Sequence, residues 1–217
     1  MSGKNCKVAV LISGSGSNLQ ALLTASNKTG APFSVCKVIS NRPEAYGLAR
    51  AAEAGVPTSV VDHHDFSSRE TFDRALIEAI DRQSPDLVVL AGFMRILTPE
   101  FVRHYRGRLL NIHPSLLPKY QGLHTHRRAL QAGDSEHGAT VHFVTEELDG
   151  GPPIVQATVP VLTGDTPETL ASRVQVQEHA IYPLAVTWFA EHRLHMRGER
   201  ALLDDTLLPH SGIRLTG

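Results

Sequence analysis

Lys7-Val8-Ala9-Val10-Leu11-Ile12-Ser13-Gly14-Ser15-Gly16-Ser17-Asn18-Leu19 joins a short apolar run to a turn of small residues, after which Leu19, Leu22 and Leu23 recur at helical spacing. The order is strand, glycine loop, helix. Outward from this stretch the alternation persists: Phe33 to Ser40 reads as a second strand, an Ala-rich helix runs from about Ala45 to Ala54 and stops at Gly55, and Pro57 to Val61 reads as a third strand. Between Ser68 and Gln83 the residues Phe72, Leu76, Ile77 and Ile80 make one helical face, with Ser68, Thr71 and Asp73 at its start and Pro85 beyond its end. Asp86 to Ala91 has the apolar character of a parallel strand covered on both faces, and Gly92 lets the chain turn away. The pattern predicts an α/β fold with a doubly wound, mostly parallel central sheet, whose ligands bind at the carboxyl ends of its strands.

Leu109 to Ile112 is a further short strand, and it leads into Asn111-Ile112-His113-Pro114-Ser115-Leu116-Leu117-Pro118. Residues two apart in a strand point to the same side, so Asn111 and His113 offer a hydrogen-bond donor and a proton carrier to one small volume. Pro114 and Pro118 keep the following segment out of a helix. A second reading stays open, in which Asn111 and His113 merely cap the strand. The glycine loop, the Gly92-Phe93-Met94-Arg95 turn and the Asn111/His113 pair are all expected at carboxyl ends, and therefore in one cleft.

After His113 come a loop with Lys119, Gly122, His124 and His126, a helix from about Arg127 to Gly133, and strands near Ala139 to Val144 and Ile154 to Val161. Glu146 to Pro153 reads as the turn between those strands. A long helix from Pro167 to about His192 and a strand pair near Leu194 to Leu203 complete the antiparallel additions of the C-terminal half.

The 217 residues suit one α/β domain able to bury roughly 70% of its unfolded surface. Lys+Arg of 21 against Asp+Glu of 22 gives a net charge of -1, which argues against nucleic acid or a membrane surface as partner. Cys6 and Cys36 fit no disulfide or metal spacing and read as reduced core residues. With no signal-peptide pattern and no transmembrane run, a cytoplasmic location is expected.

Gly14 and Gly16 after a strand invite a dinucleotide reading, but that fingerprint wants a third glycine where Leu19 stands and an acidic residue near Ser40-Asn41-Arg42. Both requirements fail. A helix N-terminus opened by small residues suits one phosphate, helped by Ser15, Ser17 and Asn18; the competing reading is a glycine turn that lets strand and helix pack closely. Asp149 is the carboxylate to pair with His113, because a carboxylate against an imidazole favours the imidazolium; the competing reading is a solvated acidic loop. His63-His64, His124-Thr125-His126 and the His137 to His142 segment match neither helical nor Cys-flanked zinc spacing, no acidic partner suggests itself at ligand spacing, and no metal is expected. Gln175 and Glu178, three apart on the long helix, share a face that either reads a polar ligand or meets solvent.

Asn111 to Tyr120, with Gly92-Phe93-Met94-Arg95-Ile96-Leu97 before it and Asp149-Gly150-Gly151 after it, resembles the folate-dependent formyltransferase family. Ser68-Arg69-Glu70, Leu123-His124-Thr125-His126 and Gln177-Glu178-His179-Ala180-Ile181-Tyr182-Pro183 extend the resemblance to the branch that formylates glycinamide ribonucleotide. It runs from about Lys7 to Asp204. The resemblance implies a Rossmann-like fold with a phosphate-binding half over about 7–105 and a catalytic, folate-binding half over about 106–204. It further implies transfer of a formyl group from 10-formyltetrahydrofolate, the cosubstrate, to a primary amine in purine synthesis, without metal. Asn111, His113 and Asp149 match the family's catalytic residues. Gly16, Ser17, Asn18, Gln175 and Glu178 match positions that contact the ribonucleotide. Arg69, Met94, Arg95, Ile96, Leu97, Asn111 and the Thr145, Glu146, Glu147, Leu148, Asp149 loop match the folate site.

Partners are then small-molecule substrates, with no nucleic acid and no membrane, and a homodimer is one assembly the chain permits. Two departures from the family pattern, Gln121 in place of a proline and Pro153 directly after Pro152, are expected in loops. A methionyl-tRNA formyltransferase would share Asn111, His113 and Asp149 but is expected to carry an appended domain. A formyltetrahydrofolate hydrolase is expected to carry an extra domain ahead of Lys7. A nucleotide-binding module without catalysis would leave the three residues idle.

Overall fold

The computed structural model describes residues 5–216, and the chain divides into two compact units at Leu110/Asn111. In the first, β1 (Cys6–Ile12), α1 (Ser17–Ser26), β2 (Phe33–Ser40), α2 (Gly47–Glu53), β3 (Thr58–Val60), α3 (Arg69–Asp81), β4 (Leu87–Leu90) and α4 (Pro99–His104) follow in order. The strands lie in the order β4-β1-β2-β3, every neighbouring pair parallel. Val8 to Ile12 and Leu87 to Val89 are fully buried, which is why these strands lack polar alternation.

α3 starts where its side chains cap it: Ser68 Oγ accepts from the Thr71 N–H, and the Thr71 hydroxyl returns the bond. The short α4 was not expected from periodicity, although Thr98 caps it and Pro99 opens it. The helix expected over Ala45 to Ala54 is shorter, and a 3-10 turn at His63–Asp65 follows β3.

β5 (Leu109–His113) runs into the second unit and carries His113 one residue beyond the expected strand end. There α5 (Thr125–Ala132), β6 (Glu136–Phe143), β7 (Pro153–Pro160), α6 (Pro167–Ala190), β8 (Leu194–Arg197), β9 (Arg200–Leu203), β10 (Thr206–Leu207) and β11 (Ile213–Thr216) follow. β6 and β7 are antiparallel, β11 adds to β7 in parallel, and β8, β9 and β10 form a small antiparallel sheet. β10 and β11 lie beyond the expected strand pair; β11, half-exposed to exposed throughout, lacks the apolar run that marks a covered strand. α6 packs on β6 and β7 and continues through Pro183. The fold is thus α/β and mostly parallel, with antiparallel additions in the C-terminal half, as the alternation predicts.

In the glycine loop, Gly16 caps α1 at φ +71° without a side-chain hydrogen bond. A Cβ on Gly16 would lie 2.6 Å from Gly47 Cα, and one on Gly47 would lie 2.5 Å from Ile12 Cδ1, so the two glycines let α2 approach the loop. Gly14 faces open space. Gly47→Ala is therefore expected to lower unfolding free energy by ~1–3 kcal/mol through overpacking, while Gly14→Ala stays within ~0.5 kcal/mol. Urea unfolding of both variants checks this, and equal midpoints would contradict the close-approach argument.

Candidate active site

The end of β5 places Asn111 half-buried and His113 buried. His113 Nε2 donates to the Tyr120 carbonyl at 2.9 Å, and Nδ1 lies 3.4 Å from Asp149 Oδ2. Both ring nitrogens thus face oxygen atoms, one a backbone carbonyl and the other a carboxylate. Asp149 Oδ2 also accepts the Gly122 N–H at 2.9 Å. The Asp149 side chain is 9% exposed, so its charge acts on the ring with little screening by water.

Asp149 has φ +50° at the head of Gly150-Gly151. A Cβ on Gly151 would strike the Phe143 carbonyl at 1.9 Å, so the returning chain can pass the end of β6 only as glycine. The segment from Lys119 to Leu123 is held from outside. Lys119 Nζ binds Asp134 at 3.1 Å, the Tyr120 hydroxyl donates to Asp134 at 2.8 Å, and Arg128 donates to the Gln121 carbonyl at 2.6 Å. These contacts fix the Tyr120 carbonyl and the Gly122 N–H that meet His113 and Asp149. At Gln121 the departure from proline leaves a carbonyl anchored by Arg128.

Behind Asn111 stands a residue that the sequence pattern did not single out. His142, 2% exposed, lies with Nε2 3.2 Å from Asn111 Nδ2 and 3.8 Å from Asp149 Oδ1, and its Nδ1 donates to the Phe143 carbonyl at 2.8 Å. Burial holds its pKa well below the ordinary histidine value. His137, which hydrogen-bonds the Pro114 backbone, is pushed down to about 4, chiefly by burial and then by the neighbouring His126.

In the first unit, Met94 and Ile96 are 63% and 59% exposed, on a loop tied at both ends. The Met94 N–H donates to Ser13 Oγ at 2.7 Å and the Thr98 N–H to Asp73 Oδ2 at 2.6 Å. Arg95 lies over the Phe72 ring, Leu97 is half-buried and Arg69 is exposed at the start of α3. In the second unit the 145–149 loop exposes Glu146, Glu147 and Leu148, with Thr145 half-buried. It borders a cavity of about 330 Å³ that Leu117, Gln121, Asp149 and Arg200 help to line.

A family profile described as formyl transferase matches residues 6–186. The chain belongs to the formyl transferase family. Phosphoribosylglycinamide formyltransferase of Escherichia coli (strain K12) is 58% identical over 205 residues, 94% of this chain and 97% of that one. The protein of the same name from Haemophilus influenzae (strain ATCC 51907 / DSM 11121 / KW20 / Rd) is 48% identical, covering 95% and 97%. Among solved structures, phosphoribosylglycinamide formyltransferase of Coxiella burnetii, in complex with CHES, superimposes with a TM-score of 0.93 at 50% identity, covering 97% and 99%.

In this formyl transferase the helical pair expected to share one face divides: Glu178 is buried, whereas Gln175 is exposed. Asp62 supplies the acidic neighbour that the histidine spacings did not suggest, since Asp62, His63 and His64 bring ligand-type atoms within 4.8 Å. His63 Nδ1 is engaged by the Asn41 carbonyl at 2.9 Å and His64 Nδ1 by Asp62 at 2.9 Å, so internal hydrogen bonds account for the cluster. Cys6, buried, and Cys36, half-buried, are not joined in a disulfide. No helix among the described residues is long and apolar enough to cross a membrane.

The buried rings of His137 and His142 fix the sign of the acid response of this formyl transferase. Their folded pKa values lie below the ordinary value near 6.5, so between pH 6.5 and about 4 the unfolded chain binds more protons. Stability is therefore complete above pH 6.5 and falls as pH drops through this window, by at most ~1.4 kcal/mol per pH unit for each ring. Urea midpoints should decline from pH 7.5 to 4.5 and decline less in His137→Gln; parallel declines in both proteins would overturn the assignment.

Proposed function

We propose that this chain transfers the formyl group of 10-formyltetrahydrofolate to the primary amine of phosphoribosylglycinamide, yielding formylglycinamide ribonucleotide and tetrahydrofolate in purine biosynthesis. The observation that carries the reading is the convergence of Asn111, His113 and Asp149 in a formyl transferase whose full-length relatives bear that activity in their names.

In this reading the neutral amine attacks the formyl carbon. The carbonyl oxygen becomes an anion that accepts from the Asn111 amide and from protonated His113, two donors set where charge develops. Collapse of the tetrahedral adduct breaks the bond to folate N10, the attacking nitrogen loses a proton and N10 gains one, with the His113 ring as proton carrier. Asp149, 3.4 Å from His113 Nδ1, opposes the positive charge of that ring. Because the Tyr120 carbonyl already occupies Nε2, delivery of the ring proton requires this contact to give way to substrate.

The substrate phosphate is assigned to Gly16, Ser17 and Asn18 at the start of the 10-residue helix α1, where backbone N–H groups and the helix dipole favour an anion. Glu178 and Gln175 are assigned to the rest of the ribonucleotide. The folate is assigned to the exposed Met94 and Ile96 with Arg95 and Leu97, to Arg69, to Asn111 and to the Thr145 to Asp149 loop. Exposed apolar side chains on a tethered backbone fit a flat heterocycle.

Tetrahydrofolate release is expected only when both substrates are present, and release without the amine would indicate hydrolysis instead. Asn111→Ala should lower kcat by ~10²–10³ with little change in KM, since the lost donor acts on the oxyanion. A near-normal kcat in the folded variant would remove Asn111 from the mechanism.

A further inference from the structure

The proposed reaction needs one N–H of Asn111 aimed at the oxyanion, yet an amide can turn over about its last torsion and present oxygen instead of nitrogen. An oxygen there would repel the developing anion. Something must therefore choose between the two orientations, and the groups around Asn111 show what does.

His142 Nδ1 lies 2.8 Å from the Phe143 carbonyl, which can only accept, so Nδ1 carries the hydrogen. The ring is buried and its pKa is held well below the ordinary range, so it is neutral and Nε2 presents a lone pair. That lone pair lies 3.2 Å from Asn111 Nδ2. With nitrogen there, one amide N–H donates to His142 and the second stays available; with oxygen there, two acceptors would face each other. The 3.8 Å gap between Nε2 and Asp149 Oδ1 agrees, because a hydrogen on Nε2 would draw the carboxylate closer.

We infer that His142 is a positioning residue that locks the Asn111 amide with its nitrogen inward, so that the remaining N–H is presented to the reacting carbonyl. The chain of causes begins in the backbone of β6, whose Phe143 carbonyl sets the tautomer of His142, which sets the orientation of Asn111. This rests on the proposed formyl transfer for its catalytic consequence, but the contact itself stands on geometry alone. Indirect control of this kind resembles the way an outer partner orients a metal-bound imidazole by engaging its other nitrogen.

The test combines a direct observation with a mutant cycle. In the wild-type protein, long-range ¹H–¹⁵N correlation of the imidazoles should show His142 as the Nδ1–H tautomer at pH 7.5. The Nε2–H tautomer, or a charged ring, would overturn the inference whatever the enzyme's activity. His142→Phe removes the acceptor and should lower kcat by about 10- to 100-fold with KM within about twofold, and His142→Gln, which can offer an acceptor near Nε2, should recover most of the loss. In an Asn111→Ala background His142→Phe should change kcat by less than about twofold, because the group it positions is gone. Independent, multiplying effects would overturn the inference, as would wild-type kcat in His142→Phe. Should His142→Phe not fold, the same cycle run with His142→Ala, which also removes the acceptor, against Asn111→Ala carries the decision. A wild-type protein that binds substrates but transfers no formyl group would instead reject the functional reading, and the tautomer would still decide the contact.

Discussion

The Asp149 carboxylate is the point on which the candidate site depends. One oxygen accepts the Gly122 N–H and faces His113 Nδ1, and the other lies 3.8 Å from His142. Its position follows from backbone shape: φ +50° at Asp149, then two glycines, the second passing the Phe143 carbonyl where no side chain fits. Without the carboxylate, a loop N–H and a buried imidazole would lose their partner together in a site with little access to water. The loop carrying Gly122 is braced from its far side by Asp134 and Arg128, so three segments distant in sequence agree on one place for one charge.

Much of the fold was legible because its strands are short apolar runs punctuated by glycine and proline, and β2 is found over the expected Phe33–Ser40. α4 escaped notice because 6 residues hold too few turns for a period, leaving only the Thr98-Pro99 start signal. β11 escaped because an edge strand with exposed residues looks like any polar tail. For the candidate site, Asn111, His113 and Asp149 could be named by type and spacing. His142 could not, since β6 is buried on both faces from His137 to Phe143 and alternation no longer separates core from site. The split between Gln175 and Glu178 was equally hidden: spacing along a helix tells which residues share an azimuth, and only the neighbours decide which of them is covered.

The glycine loop shows why two readings of one motif need not compete. Gly16 and Gly47 touch backbone to backbone, which meets the packing requirement in full, and the same approach leaves the start of α1 without a side-chain cap. A helix start made of small residues for reasons of packing is also one that an anion can reach.

The loop from Met94 to Thr98 keeps two apolar side chains in water because Ser13 and Asp73 hold its ends by their backbone N–H groups. Such a platform does not fold back on itself when empty, so its hydration shell is present in the free protein. On the proposed folate site, a flat molecule settling on Met94 and Ile96 would displace water from their exposed apolar surface rather than rearrange protein. The thermodynamic mark of that event is a negative change in heat capacity, with a binding enthalpy that grows more favourable as the temperature rises.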